Sequence, residues 1–191
     1  MNIKFLNLTF EISYALYEQL HNHNGKEIAF VGASNAGKSS AINAISTNKK
    51  IAKTSKTPGK TKLFNFFRSL ENYIVDFPGY GYSKTSKKQQ AEWARELPKY
   101  FEKRANLVCV VLFTDIRNPI RNSDLQMIQM LKKLKLNYLI VLTKTDKLSE
   151  SGANAKLNEV KEKFPNVSLF SIKDPKQINS LIEQINVLLS S

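Results

Sequence analysis

A chain of 191 residues, 42% of them hydrophobic, is long enough for one domain with a substantial core and short for two. A formal net charge of +13 points to an anionic partner such as RNA, DNA or an acidic membrane surface, although a lysine-rich soluble surface accounts for the same surplus. The single cysteine, Cys109, excludes a disulfide framework, and no apolar run approaches the roughly 20 residues needed to cross a bilayer, so a reducing cytoplasm with no membrane association is the expected setting.

In chain order, "MNIKFLNLTFEIS" alternates polar and apolar residues and lacks a signal-peptide core. Residues 1–26 are expected to extend the same single domain, 1–191. "EIAFVG" (27–32) reads as a short buried strand entering a glycine loop, and "SSAINAI" then has helical spacing. "LFNFFRSL" (63–70) and "NYIVDF" (72–77) predict a hairpin, with Phe64, Phe66 and Phe67 as its core. "QQAEWARELPKYFEKR" (89–104) predicts a helix broken or kinked at Pro98, with Trp93 packing on it. "NLVCVVLFTD" (106–115) is a buried strand that encloses Cys109. "SDLQMIQMLKKLK" (123–135) is a helix for which Ser123 is the expected cap. "NYLIVLTKTD" (137–146) is a strand with a polar tip; "ANAKLNEVKEKF", "VSLF" and "QINSLIEQINVLL" follow as helix, strand and helix. This alternation predicts an α/β layered fold with a mostly parallel sheet, the hairpin adding one antiparallel strand. His21 and His23 lie in a polar connector without a metal-ligand pattern.

Ligands of such sheets sit at the carboxyl ends of the strands. "GASNAGKS", Gly32 to Ser39, matches G-x-x-x-x-G-K-[ST] directly after a buried strand and at the opening of a helix. Gly32 and Gly37 let the backbone curl, so that amides of Ala33, Ser34, Asn35, Ala36, Lys38, Ser39 and Ser40 face phosphate oxygens and the helix dipole adds to them. Lys38 would reach the β- and γ-phosphates and Ser39 would ligate Mg²⁺. "TKTD", Thr143 to Asp146, selects the base. A carboxylate at Asp146 accepts from N1–H and the 2-amino group of guanine, whereas adenine lacks the N1 proton. Such a site rejects the wrong base by a factor on the order of 10⁴. The Lys144 stem would lie along the base, and Thr143 and Thr145 would hold the loop.

"DFPG", Asp76, Phe77, Pro78 and Gly79, follows a strand. Asp76 would hold Mg²⁺ through a water and the Gly79 amide would touch the γ-phosphate, an interaction that ends when hydrolysis removes that phosphate. Tyr80 then stands where many related switches carry a water-positioning glutamine. Residues 46–62 are polar and rich in lysine, and Thr61 is placed to close over Mg²⁺ and the γ-phosphate. Lys49, Lys50, Lys53, Lys56, Lys60 and Lys62, then Lys84, Lys87 and Lys88, make both nucleotide-sensitive segments basic, which favours RNA as partner over solvated loops.

The blocks "EIAFVGASNAGKSSAINAI", "TPGKTKLFNFF", "VDFPGYGYSK" and "VLTKTDKL" together resemble the EngB (YihA/YsxC) ribosome-biogenesis GTP-binding proteins, within the translation-factor-related GTPases, from about residue 10 onward. The resemblance implies a P-loop NTPase G domain with a six-stranded sheet and helices on both faces. It also implies Mg²⁺-dependent binding of GTP and GDP, slow hydrolysis, a role in assembly of the large ribosomal subunit, and a need for the protein in normal division and septation. Carried onto this chain, it assigns Gly59, Lys60 and Thr61 to the segment over the nucleotide, with Thr61 as the second protein ligand of Mg²⁺. Lys38, Thr61 and Gly79 become the groups nearest the reaction, and Ser171 and Ile172 supply the last guanine contacts. Ile172 departs from the small residue usual there. Asn35 has two readings: a K⁺ ligand, as in some related GTPases, or a residue that tolerates the loop's backbone. A monomer is expected. A P-loop kinase leaves "TKTD" unexplained, and an RNA-binding protein with a vestigial site leaves the intact Lys38, Ser39 and Asp76 unexplained.

Overall fold

The computed structural model describes residues 6–52, 64–80 and 87–190, with backbone only at 87–90. Its elements alternate as the apolar runs require: β1 (Thr9–Tyr14), β2 (Glu27–Gly32), α1 (Lys38–Ile45), β3 (Phe64–Ser69), β4 (Asn72–Asp76), α2 (Lys87–Lys103), β5 (Leu107–Asp115), α3 (Asn122–Lys133), β6 (Tyr138–Thr143), α4 (Glu150–Lys161), β7 (Val167–Phe170) and α5 (Pro175–Ser190). They form one sheet in the order β1-β3-β4-β2-β5-β6-β7. β3 is antiparallel to both of its neighbours, and the remaining pairings are parallel.

Among the described residues the sheet therefore has seven strands, not six. The additional strand is β1, whose alternating sequence lies at an edge where most of its side chains stay exposed. It joins β3 in a register that shifts between Phe10 and Ile12. Just before it, Leu6 and Leu8 are buried in the core, and the Leu6 amide donates to the Ile45 carbonyl at the end of α1.

Side chains two apart on a strand share a face, and this period divides the core. Ala29 and Val31 of β2, Val110 and Leu112 of β5, and Ile140 and Leu142 of β6 meet α2, α3 and α4 through Leu97, Tyr100, Met127, Leu131 and Val160. Ile28, Phe30, Cys109, Val111, Phe113 and Val141 meet α1 and α5 through Ile42, Ile45, Ile178 and Leu181. Helices thus cover both faces, which is why β5 is apolar along its whole length. Burial pushes the Cys109 thiol up to about 12, so it behaves as a small core residue. Phe64, Phe66 and Phe67 are buried, as hairpin core requires.

Two local expectations change. α2 runs through Pro98 without ending. α3 begins one residue before Ser123, and its cap comes from Asp124, whose Oδ2 accepts the Arg121 amide at 3.0 Å.

At the amino end of β2, Glu27 is fully buried. Its carboxylate accepts from Arg104 Nε at 2.8 Å, from the Tyr100 hydroxyl, and lies 2.7 Å from His23 Nε2. His21 and His23 pack on Tyr73 beside it. Arg104→Ala strands this carboxylate in the core. The expected loss is about 3–5 kcal/mol, seen as a lower urea midpoint with little change in slope.

Candidate functional site

At the opposite, carboxyl end of the sheet, β2, β4, β5 and β6 release their chains within reach of one another. The phosphate loop leaves β2 at Gly32, whose φ of 150° disfavours any other residue; a Cβ there would meet the Phe113 carbonyl oxygen at 2.3 Å. Gly37 is left-handed at φ 98° and opens α1. The amides of Lys38, Ser39 and Ser40 lie in the first helical turn, where no carbonyl one turn earlier belongs to the helix. That turn is a ready anion cradle. Lys38 is buried and its Nζ donates to the Gly32 carbonyl at 3.2 Å. Burial lowers its pKa, and the nearby Asp76 opposes the shift.

Asp76 ends β4 and is buried. Burial raises its carboxyl to about 6, against the Lys38 charge and a hydrogen bond from Ser39, which both lower it. Its Oδ1 has no hydrogen-bond partner among the described residues. A hydroxyl beside a half-satisfied buried carboxylate is a hard oxygen donor set, and it fits Mg²⁺. Ser39 and Asp76 would hold the ion, which when bound neutralises phosphate charge. Gly59, Lys60 and Thr61, together with Lys53, Lys56, Lys62 and Lys84, lie outside the described residues.

Phe77 turns into the core against Phe64, Tyr100 and Phe101, its amide donates to the Phe30 carbonyl at 3.0 Å, and Pro78 is buried as well. Gly79 sits directly on the phosphate loop. The Ser34 amide donates to the Tyr80 carbonyl at 3.1 Å, and the Ser34 hydroxyl to the Gly79 carbonyl at 3.3 Å.

The base-selecting loop is tied to the phosphate loop from the other side. The Thr143 hydroxyl donates to the Ala36 carbonyl at 2.7 Å. Lys144, left-handed at φ 61°, donates from Nζ to the Asn35 carbonyl at 2.8 Å. Asn35 is itself left-handed at φ 64° with an exposed side chain, a backbone conformation that asparagine tolerates. Thr145 is held by Gln177, the Oγ donating to Oε1 at 2.8 Å. Asp146 accepts from the Ser171 hydroxyl at 2.9 Å and faces Lys173 at 3.4 Å and Lys147 at 3.8 Å. Partial burial opposes its ionisation, but Ser171 and Lys173 outweigh it and the pKa falls. A cleft of about 350 Å³ opens beside Asp146, Ser171 and Lys173. Ile172 projects into solvent, 54% exposed.

Two groups escaped the sequence reading. Asp115, at the end of β5, accepts from Lys144 Nζ at 2.9 Å and from Arg117 Nη2 at 2.7 Å. The Arg117 hydrogen bond above all, with Lys144, holds its carboxyl far below the usual range. Asp124 accepts the Tyr80 hydroxyl at 2.8 Å. The "TDIRNP" turn after β5 was the available signal for the first; an acid one helix away gave none for the second.

Residues 27–144 match the family model described as "50S ribosome-binding GTPase". A probable GTP-binding protein EngB from Salmonella newport is 42% identical over 162 residues, which is 84% of this chain and 77% of that protein. The crystal structure of a probable GTP-binding protein EngB superposes with a TM-score of 0.70 at 25% identity, covering 86% of this chain and 98% of that one. Era in complex with MgGDPNP and nucleotides 1506–1542 of 16S ribosomal RNA is similar in fold, with a TM-score of 0.67 at 20% identity, over 88% of this chain and 57% of Era.

Proposed function

Because the chain belongs to the EngB family of GTP-binding proteins, which hydrolyse GTP, we propose that it is a slow, Mg²⁺-dependent GTP switch that engages RNA of a large-ribosomal-subunit precursor. The observation that carries the switch is the seating of Gly79 and Tyr80 on Ser34 of the phosphate loop. A segment that touches the loop at the γ-phosphate end has two arrangements to choose between, one with that phosphate and one without. Lys38, the first turn of α1 and Gly79 bind the phosphates, Ser39 and Asp76 hold the ion with Thr61, and Thr143 to Asp146 with the Ser171–Ile172 turn read guanine.

Slow turnover follows from Tyr80. Its hydroxyl is committed to Asp124, so no side chain at this position orients a water. K⁺ at the exposed Asn35, or the ribosomal particle, would supply the missing stabilisation. Assembly of the subunit places the protein in the cytoplasm, working as a monomer, and links its loss to failed division and septation.

The RNA reading is supported by the ribosome-binding description of the matching family and by the net charge of +13. Around the base-binding side, Arg117, Lys147, Lys173 and Lys176 are exposed. The test is cosedimentation with large-subunit precursors in the presence of GTP or GDP. Binding should favour the GTP form and fall about tenfold or more between 50 and 200 mM salt, as expected for several phosphate contacts. Binding that ignores both nucleotide and salt would refute the proposal.

A further inference from the structure

The residue after the sensor glycine makes bonds at both ends. Its carbonyl accepts the Ser34 amide at 3.1 Å. Its hydroxyl donates to Asp124 Oδ1 at 2.8 Å. Asp124 is fully buried at the start of α3. Its other oxygen, Oδ2, accepts the Thr114 hydroxyl at 3.2 Å and the Arg121 amide at 3.0 Å. The acceptor is therefore rigid, fixed to β5 and to the helix start. Burial and the Asp124 charge push the Tyr80 phenol up, so it remains a protonated donor. Gly79 directly precedes this anchored residue; its own carbonyl accepts the Ser34 hydroxyl at 3.3 Å, and a Cβ on it would come within 2.7 Å of Ser34 Cα. The sensor backbone has almost no freedom to drift across the loop while both bonds hold.

We propose that Tyr80 is a positioning residue for γ-phosphate recognition: its hydrogen bond to Asp124 sets where Gly79 sits over the phosphate loop and makes the start of α3 part of the nucleotide sensor. The inference rests on reading Gly79 as that sensor. The side chain at this position is spent on holding the backbone that reads the phosphate, not on the attacking water. A change at Gly79 is then felt at α3 through the hydrogen bond of the next residue, which spans 44 residues of sequence.

Tyr80→Phe keeps the ring, which packs beside Trp93, and removes only the hydroxyl. Affinities for GDP and for a non-hydrolysable GTP analogue, both with Mg²⁺, are measured on the full chain. Tyr80→Phe should weaken the analogue about tenfold, the scale of one charge-assisted hydrogen bond, and leave GDP within about twofold. Asn106→Ala removes two hydrogen bonds at the opposite end of the sheet, to the His23 and Gly25 carbonyls. It should lower the melting temperature and leave the analogue-to-GDP ratio unchanged. Equal loss of both nucleotides, no loss, tighter analogue binding, or the same ratio change in Asn106→Ala would each overturn the proposal. Gly79→Ala separates the two readings. If it abolishes the preference for the analogue while Tyr80→Phe does not, only the Tyr80 role fails. If it too leaves the analogue unaffected, the sensor reading fails and the Tyr80 role with it.

Discussion

Replacing Asp146 by asparagine is expected to transfer the protein from guanine to xanthine nucleotides. The carboxylate offers two acceptors, one of which is aligned by the Ser171 hydroxyl at 2.9 Å. In the variant the amide oxygen keeps Ser171 and the amide nitrogen becomes a donor. That donor opposes the guanine 2-amino group and suits the carbonyl that xanthine carries there. Asp146 retains some access to solvent, which softens the penalty, so the expected loss of GTP affinity is on the order of 10³- to 10⁴-fold. Displacement of a fluorescent GDP analogue by GTP, XTP and ATP reads this directly. A variant that still prefers GTP would remove Asp146 from the base site. Lys173 and Lys147 lose their anionic partner in the same variant, so a small drop in stability should accompany the change.

Asp76→Asn is expected to stabilise the nucleotide-free protein and abolish its response to Mg²⁺. Burial holds the folded carboxyl near 6, well above its ordinary 3.8. The folded state therefore binds this proton more tightly than the unfolded chain, and ionising Asp76 costs stability as pH climbs from about 4 to about 6. Asparagine never ionises. The gain of the variant over the wild type should be absent below about pH 4 and full above about pH 6, where it amounts to about 3 kcal/mol. Melting curves at several pH values, without nucleotide or metal, follow the gap. With Mg²⁺ and GDP present the order reverses, because only the carboxylate gains a cation partner. Equal stabilities at pH 8 would show that the buried carboxylate is not under strain.

These sites differ in how much of them can be read along the chain. The phosphate loop and "TKTD" were legible because each works within a few consecutive residues, and because a buried strand precedes each. The central strands β2 and β5 were legible because each is a short, continuous apolar run. β1 was not identified as a strand. It buries little, and its partner β3 lies fifty or more residues on, at Arg68 for Thr9 and Phe64 for Tyr14. Pro98 misled in the opposite direction, since local propensity yields here to the packing of Leu97, Tyr100 and Phe101. The hydrogen bonds that fix the candidate site were beyond sequence altogether. Asp115 to Lys144, Asp146 to Ser171 and Asp124 to Tyr80 join different strand ends, and only the parallel sheet brings those ends together.

The two borders of that sheet bear on how the protein keeps to itself. A strand at a border presents unpaired amides and carbonyls, an invitation to a strand from another molecule. Among the described residues, β7 closes one border with only four residues, Val167–Phe170, packed against α4 and α5. β1 closes the other, and its shifted register between Phe10 and Ile12 spoils the flat template that a fibril would need. The irregularity in the first strand thus works against polymerisation of the chain through its own backbone.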